Sequence, residues 1–273
     1  MKKLVFRFDI DTHKCIRDGV PRLLAVANEY EVPFTFFLNC GKSISFINSL
    51  KSLVFGTNRE DSEKPEMMSA MQKLGMKDYL VAALINPNIS SYKAQIKQLL
   101  ESSCEVGLHG GRNHAIWGSK TEWSEEEIRQ EIVWALEKMK RIKPDFAPIG
   151  FTSPEWNGPD FLPEILVEAG FSYYGDFRCV GQEPIKREGI LPVIGVNLLG
   201  EPGGVAFFEN CRVRGLNDSE IVRRVMDSFD KLDTVILYDH PYYAGLNETG
   251  CIINIIESAK REGIQICKLE ELI

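Results

Sequence analysis

The chain reads as an α/β protein built on a parallel sheet, either open or closed into a barrel. Short apolar runs rich in β-branched and aromatic residues alternate with segments of helical spacing, and turn residues separate them. No repeat, low-complexity tract or Pro/Gly/Ser linker interrupts that alternation, so residues 1–273 are expected to form one domain.

The elements follow in order. "KLVFRF" is a short apolar strand. "DGVPRLLAVANEY" has helical spacing with Pro21 near its start, where a missing N–H costs least. "VPFTFFLN" is predicted as a buried strand. "EVGL" is the next strand, and the helix "SEEEIRQEIVWALEKMKRI" opens with a capping box of Ser124 and Glu127. "APIGFTS" precedes "FLPEILVEAG", and "NDSEIVRRVMDSFDKL" leads into "TVILYDH". The chain closes with "TGCIINIIESAKREG" and "IQICKL". One segment, about 42–90, breaks the rhythm. It has no clear strand, only short amphipathic helical patterns with Met67, Met68, Met71 and Met76. Such an insertion serves as a lid or binding loop, or packs its apolar faces on the sheet and does nothing else. As a lid it would present Phe46, Ile47, Leu50, Leu53, Val54 and Phe55.

With 44% hydrophobic and 26% charged residues, the composition is that of a soluble globular protein. The formal charge of −7 argues against wholesale attraction to nucleic acid or anionic membrane. After the opening lysines the apolar run is only Leu4, Val5 and Phe6, far short of a signal peptide's core. No stretch approaches the roughly 20 apolar residues of a membrane span. A cytoplasmic protein is expected, with at most peripheral contact at the inner membrane face. The seven scattered cysteines form no CxxC pair, which predicts reduced thiols.

Chemistry concentrates at predicted strand ends. In "FDIDT", Asp9 and Asp11 point to the same side of a strand, at the end where parallel α/β folds place their sites. Alone, such a pair is equally a solvated turn. "HGGRNH" follows "EVGL", and "LYDHP" puts His240 after a third strand. Three of the four histidines therefore sit just beyond strand ends. Together with the aspartates they form an Asp/His/His set suited to a divalent metal with an open position, plus a separate carboxylate and imidazole. His13 is read as a polar loop residue.

In that order, "FDID", "EVGLHGGRNH", "SPEW", "YYGD" and "LYDHP" resemble the polysaccharide deacetylase pattern (NodB homology, carbohydrate esterase family 4). The opening "FDIDT" with "RDGVPRLLAVANEYEVPFTFFLNCGKSIS", and the position of the insertion, are similar to the 4-deoxy-4-formamido-L-arabinose-phosphoundecaprenol deformylase subgroup. The resemblance implies a distorted (β/α)7-type barrel with its long insertion after the second strand. It also implies a metal-dependent hydrolase that removes a formyl or acetyl group from the nitrogen of an amino sugar, with lipid-linked sugars among the candidates. Carried over by residue, it makes Asp11 and His109 metal ligands, Asp9 the general base and His240 the general acid. Trp156 would line the pocket, Glu155 would stand beside it, and Asp176 would support it. One divalent ion is implied: zinc by default, with cobalt, nickel or manganese serviceable. Two other readings stand: a deacetylase of a soluble or polymeric glycan, and a non-catalytic carbohydrate- or lipid-binding homologue.

Three positions depart from the pattern. The second imidazole ligand normally lies four residues after the first, and that place holds Asn113. On a helix the fourth residue returns to within about 40° of the first, while the fifth swings about 140° away. Gly110 and Gly111 relax the loop enough to absorb one residue, which favours His114 as the ligand over Asn113 or a site without metal. Thr152 stands where many relatives carry an arginine that contacts the catalytic aspartate. Glu155 stands where glycine is common.

Overall fold

The computed structural model describes residues 1–43, 74–117, 120, 122–200 and 206–273. Strand β1 (Lys3–Ile10) shows how the fold is assembled. Its side chains alternate, so Leu4, Phe6, Phe8 and Ile10 join the large core beneath the helices. Val5 faces inward with Phe37, Tyr173, Ile236 and Tyr238, and Arg7 and Asp9 continue that inner face upward. Both faces are buried, which is why the segment reads as a nearly continuous apolar run.

Strand β2 (Thr35–Leu38) pairs in parallel with β1, β3 (Glu105–His109) with β2, β4 (Gly150–Thr152) with β3, and β5 (Tyr173–Tyr174) with β4. A short antiparallel hairpin, β6 (Ile185–Lys186) and β7 (Val193–Ile194), follows, with β7 parallel to β5. The chain then runs on, bridging Arg178 through Val196 and Leu237 through Leu198. Leu237 lies in β8 (Thr234–Asp239), which pairs with the other edge of β1. A ring of β1, β2, β3, β4, β5, the 193–198 stretch and β8 thus closes through single bridges rather than a full ladder. This is the expected distorted barrel. "IQICKL" contributes only β9 (Gln265–Ile266), off the ring. β2 begins opposite Arg7, which leaves Lys3 to Phe6 unpaired with it on that edge, and β9 pairs there with Lys3 and Leu4.

Helix α1 (Val20–Glu29) carries Pro21 in its first turn. The insertion and the stretch directly after it contribute α2 (Met76–Leu84) and α3 (Lys93–Leu100). Next are α4 (His114–Trp117) and α5 (Glu125–Lys140), the latter opened by the Ser124–Glu127 capping box. Then follow α6 (Leu162–Glu168), α7 (Phe207–Val213), α8 (Asp218–Ser228), α9 (Pro241–Asn247) and α10 (Thr249–Arg261). No described helix is long and apolar enough to cross a membrane. All seven cysteines are free thiols.

The lower mouth of the barrel is plugged. A 3-10 turn, Leu269–Leu272, inserts Leu269 and Leu272 into the inner core. It is held by the buried Glu105, which accepts hydrogen bonds from Thr35 Oγ1 (3.0 Å), the Glu270 amide (3.0 Å) and the Tyr173 hydroxyl. Burial pushes the Glu105 carboxyl above its ordinary range. Any site inside the ring therefore opens at the other mouth, where the strands end.

Of the insertion, α2, a 3-10 turn (Ile89–Ser91) and α3 are described, and none of that part is strand. Met67, Met68 and Met71, with the proposed lid residues Phe46 to Phe55, lie outside the described residues. On α2, Met76 (66%), Leu80 (45%) and Leu84 (67%) stand exposed at four-residue intervals, with Ile85 (73%) beside them. Such spacing puts them on one face of the helix.

Candidate metal centre

At the open mouth, the end of β1 presents Asp11, β3 presents His109, β8 leads into His240, and α4 begins with His114. His109 Nε2 and His114 Nε2 are 3.1 Å apart, and they lie 3.3 and 3.4 Å from Asp11 Oδ1. That oxygen is buried and has no hydrogen-bond partner. His240 Nε2 sits 3.1 Å from the other Asp11 oxygen and 3.1 Å from the Tyr238 hydroxyl. Burial pushes the Asp11 carboxyl up, but the surrounding imidazoles of His114, His240 and His109 outweigh it. They hold Asp11 well below the usual carboxylate range. The His109 imidazole is held above its ordinary value because Asp9 and Asp11 overcome the effect of burial.

The second histidine reaches this point because of the loop before it. Gly110 adopts φ +69°, a left-handed conformation that costs a side-chain-bearing residue about 1 kcal/mol or more. The chain then bridges to Lys42, whose carbonyl accepts the His114 amide at 2.8 Å. Asn113 Oδ1 accepts the Ala115 amide at 3.1 Å, so it caps α4 while His114 turns toward Asp11. His109 and His114 therefore do not share one helix, and the helical spacing rule does not govern them.

The donor set fits a divalent cation. His109 Nδ1 is 2.7 Å from Thr152 Oγ1 and 3.2 Å from the Thr152 carbonyl, which can only accept. This assigns the proton to Nδ1 and leaves the Nε2 lone pair facing the site. One carboxylate oxygen and two ring nitrogens, from three chain segments, converge within 4.8 Å of one another. An O,N,N set of this kind suits zinc first among first-row metals. His114→Ala is expected to abolish the binding of one equivalent of Zn(II) or Co(II) in calorimetry, while Asn113→Ala keeps it. The reverse pattern would transfer the ligand role to Asn113.

Asp9 occupies a different environment. It is 1% exposed, and its two oxygens accept Arg7 Nε (3.0 Å) and Nη2 (2.8 Å) as a bidentate pair. Arg7 Nη1 donates to the Gly175 carbonyl at 2.8 Å, and the guanidinium lies 4.9, 5.3 and 5.7 Å from the ring centres of Phe37, Tyr238 and Trp156. Burial pulls the guanidinium pKa down, and Asp9 more than offsets it. The counter-charge of Asp9 thus comes from its own strand, while position 152 is the buried Thr152 that contacts His109. The signal was legible in "RFDID", where Arg7, Asp9 and Asp11 alternate onto one face.

The remaining predicted residues divide. Trp156 packs against Tyr238, ring centres 5.0 Å apart, and lies on the side of Arg7. Glu155 is exposed, at φ +59° in the 3-10 turn Pro154–Trp156. Asp176 serves the neighbouring backbone: Oδ1 accepts the Ser153 amide at 2.7 Å and Oδ2 the Ser153 hydroxyl. Burial raises its carboxyl pKa against those bonds. Sequence reasoning missed Asp239, which is fully buried behind His240 and accepts the His240 and Phe208 amides at 2.7 Å each. Burial pushes Asp239 up to about 7.

His13 requires a correction. It is 1% exposed rather than a polar loop residue, with Nε2 3.3 Å from Asp78 Oδ1 on α2. Asp78 also receives a bidentate contact from Arg17 at 2.9 and 3.0 Å, which pulls its carboxyl down to about 2. The insertion is thus anchored two residues past Asp11, a contact between distant segments that no local pattern announces. A second acidic group, Asp218, Glu248 and Cys251, already holds a cation of its own. Arg212 Nε lies 2.9 and 3.1 Å from the Glu248 oxygens, and its Nη2 reaches Asp218.

Fold and site together define a class: parallel α/β barrels with an Asp/His/His group at the strand ends that could hold a cation, and a separate carboxylate–arginine pair beneath it. The chain belongs to the polysaccharide deacetylase family, whose profile matches residues 1–174. It is 26% identical over 201 residues to a protein of Shewanella sediminis described as a 4-deoxy-4-formamido-L-arabinose-phosphoundecaprenol deformylase. That match covers 72% of this chain and 63% of the relative. A peptidoglycan deacetylase of Helicobacter pylori is 29% identical over 103 residues, 37% of this chain and 33% of the relative. The matched stretches thus span less than two thirds of either curated relative. Among solved structures, a polysaccharide deacetylase fold from Mycobacterium smegmatis superposes with a TM-score of 0.64 at 15% identity, covering 99% of this chain and 88% of the other. A CE4-family pseudoenzyme from Bacillus anthracis gives 0.56 at 12%, covering 99% and 65%. These likenesses carry the fold alone, and the chemistry rests on the residues.

Proposed function

We propose that the protein is a metal-dependent deacylase that removes a formyl or acetyl group from the nitrogen of an amino sugar, acting as a single domain over residues 1–273. The observation that carries this is the convergence of Asp11, His109 and His114, with Asp9 and His240 adjacent. Those three residues would hold a divalent ion, which would supply Lewis acidity for the hydrolysis. Asp9 accepts the proton from the attacking water, and the bidentate Arg7 fixes its direction. His240 donates a proton to the departing amine, its ring held by Asp11 and Tyr238. Trp156, half-buried and packed edge-on against the buried Tyr238, is an aromatic group of the kind that packs on a sugar face. The full donor set supports this reading over the non-catalytic one.

A lipid-linked sugar is the substrate we favour, with the protein working in the cytoplasm or at the inner membrane face. The description of the Shewanella relative supports it, and so does the exposed apolar row of Met76, Leu80, Leu84 and Ile85 on a helix anchored beside Asp11. The Helicobacter relative supports the second reading, a polymeric glycan. The deciding comparison uses a variant with Leu80, Leu84 and Ile85 each changed to Ser. On a lipid-linked N-formyl amino sugar, kcat/KM should fall at least about tenfold, the equivalent of about 1.4 kcal/mol of lost contact. On a water-soluble N-formyl amino sugar it should stay at the wild-type value. Equal rates on the lipid-linked substrate would favour the glycan.

A further inference from the structure

We infer that Glu131, on α5, is the positioning residue that sets the loop carrying His114 for metal binding. The inference rests on the reading of Asp11, His109 and His114 as a cation site, and it assigns a role to a residue outside that site.

His114 is not oriented by a helix that also holds His109. It opens α4, a helix of only four residues, which is too short to fix its direction through its own hydrogen bonds. The loop from Gly110 to His114 must therefore be braced from outside, and the structure shows two clamps. On one side Lys42 donates to the Arg112 carbonyl and accepts from the His114 amide, both at 2.8 Å. On the other side Glu131 Oε2 accepts the Arg112 amide at 2.6 Å. Gly111 packs so closely there that a Cβ would lie 2.5 Å from Oε2 and 2.7 Å from both the Cβ and the carbonyl oxygen of Glu131.

The brace is a backbone contact, not a surface ion pair. The Glu131 side chain is 14% exposed, and the Arg112 guanidinium lies 3.9 Å away and half in solvent. Burial raises the Glu131 carboxyl above its ordinary value, and the Arg112 and Asn113 amides work against that rise. α5 is a rigid base for such a brace. It is 16 residues long and buries Ile128, Ile132, Ala135 and Met139 along one face. A carboxylate that receives the amide two residues before a ligand fixes that ligand's approach without touching the metal. Outer contacts of this kind typically change metal affinity about 10–100-fold when removed.

The test is Co(II) titration of the metal-free protein, read by visible absorption, with the thermal midpoint of the metal-free form recorded beside it. Glu131→Ala should weaken Co(II) about 10–100-fold and alter the absorption band, with little change in the midpoint of the metal-free form. Glu131→Gln, which keeps an oxygen acceptor, should recover most of the affinity. Gly111→Ala pushes the loop off an intact Glu131 and should lose affinity as Glu131→Ala does. Wild-type affinity in Glu131→Ala, with cobalt lost in His114→Ala, would overturn this inference alone. Wild-type protein that binds no cobalt would overturn the site reading and the inference with it.

Discussion

Arg7→Met is expected to lower stability by about 3–5 kcal/mol, because it strands a buried carboxylate without its counter-charge. Asp9 and Arg7 are each 1% exposed, so bulk solvent does not readily replace the two guanidinium hydrogen bonds that the Asp9 carboxylate would lose. The guanidinium also fills space between Phe37, Tyr238 and Trp156, so packing is lost along with charge. Arg7→Lys should restore only part of the loss, since an ammonium cannot make the planar two-point contact or reach the Gly175 carbonyl as well. Changing both partners, Arg7→Met with Asp9→Leu, should recover most of the stability, because an apolar pair of similar volume is often as stable as a buried ion pair. Urea denaturation of the metal-free protein measures all four forms. An Arg7→Met midpoint within about 1 kcal/mol of wild type would show that the pair is not sequestered as described.

That pair also marks the limit of what a sequence discloses. The alternating strands and helices were legible because each apolar run had to be buried on both faces, as in β1 and β8. Closure of the ring was not, because it depends on isolated bridges at Val196 and Leu198, in a stretch with no strand pattern of its own. At the site, position at strand ends was enough to nominate Asp9, Asp11, His109 and His240. The spacing argument for Asn113 failed for a physical reason. It presumed one helix, whereas Gly110 turns left-handed and α4 begins only at His114. Arg7 was readable from strand alternation but was passed over, since the resemblance directed attention to position 152. The contacts of Asp78 and Glu131 span 65 and 19 residues, and Asp239 is set by its burial, so no local pattern encodes them.

Asp9→Asn and His240→Ala are expected to divide the reaction into its two proton transfers. Asp9 is not among the converging donors, so Asp9→Asn should bind one equivalent of metal as wild type does. Turnover of an N-formyl or N-acetyl amino sugar should nevertheless fall about 10²–10⁴-fold, the usual worth of a positioned general base. Asparagine keeps an oxygen toward Arg7, so the thermal midpoint should drop less than in Arg7→Met, and a folded but inactive protein is the informative result. His240→Ala should also keep the metal, but its effect should depend on the leaving group. An amine must be protonated as it departs, whereas the phenolate of an activated acetate ester needs little help. The loss should therefore be at least about tenfold greater on the amide than on the ester, while Asp9→Asn slows both alike, since both need the attacking water. If His240→Ala lowers both rates equally, His240 acts through its contact with Asp11 rather than as the acid. If Asp9→Asn retains wild-type turnover with metal bound, the carboxylate beneath the site belongs to the fold and not to the reaction.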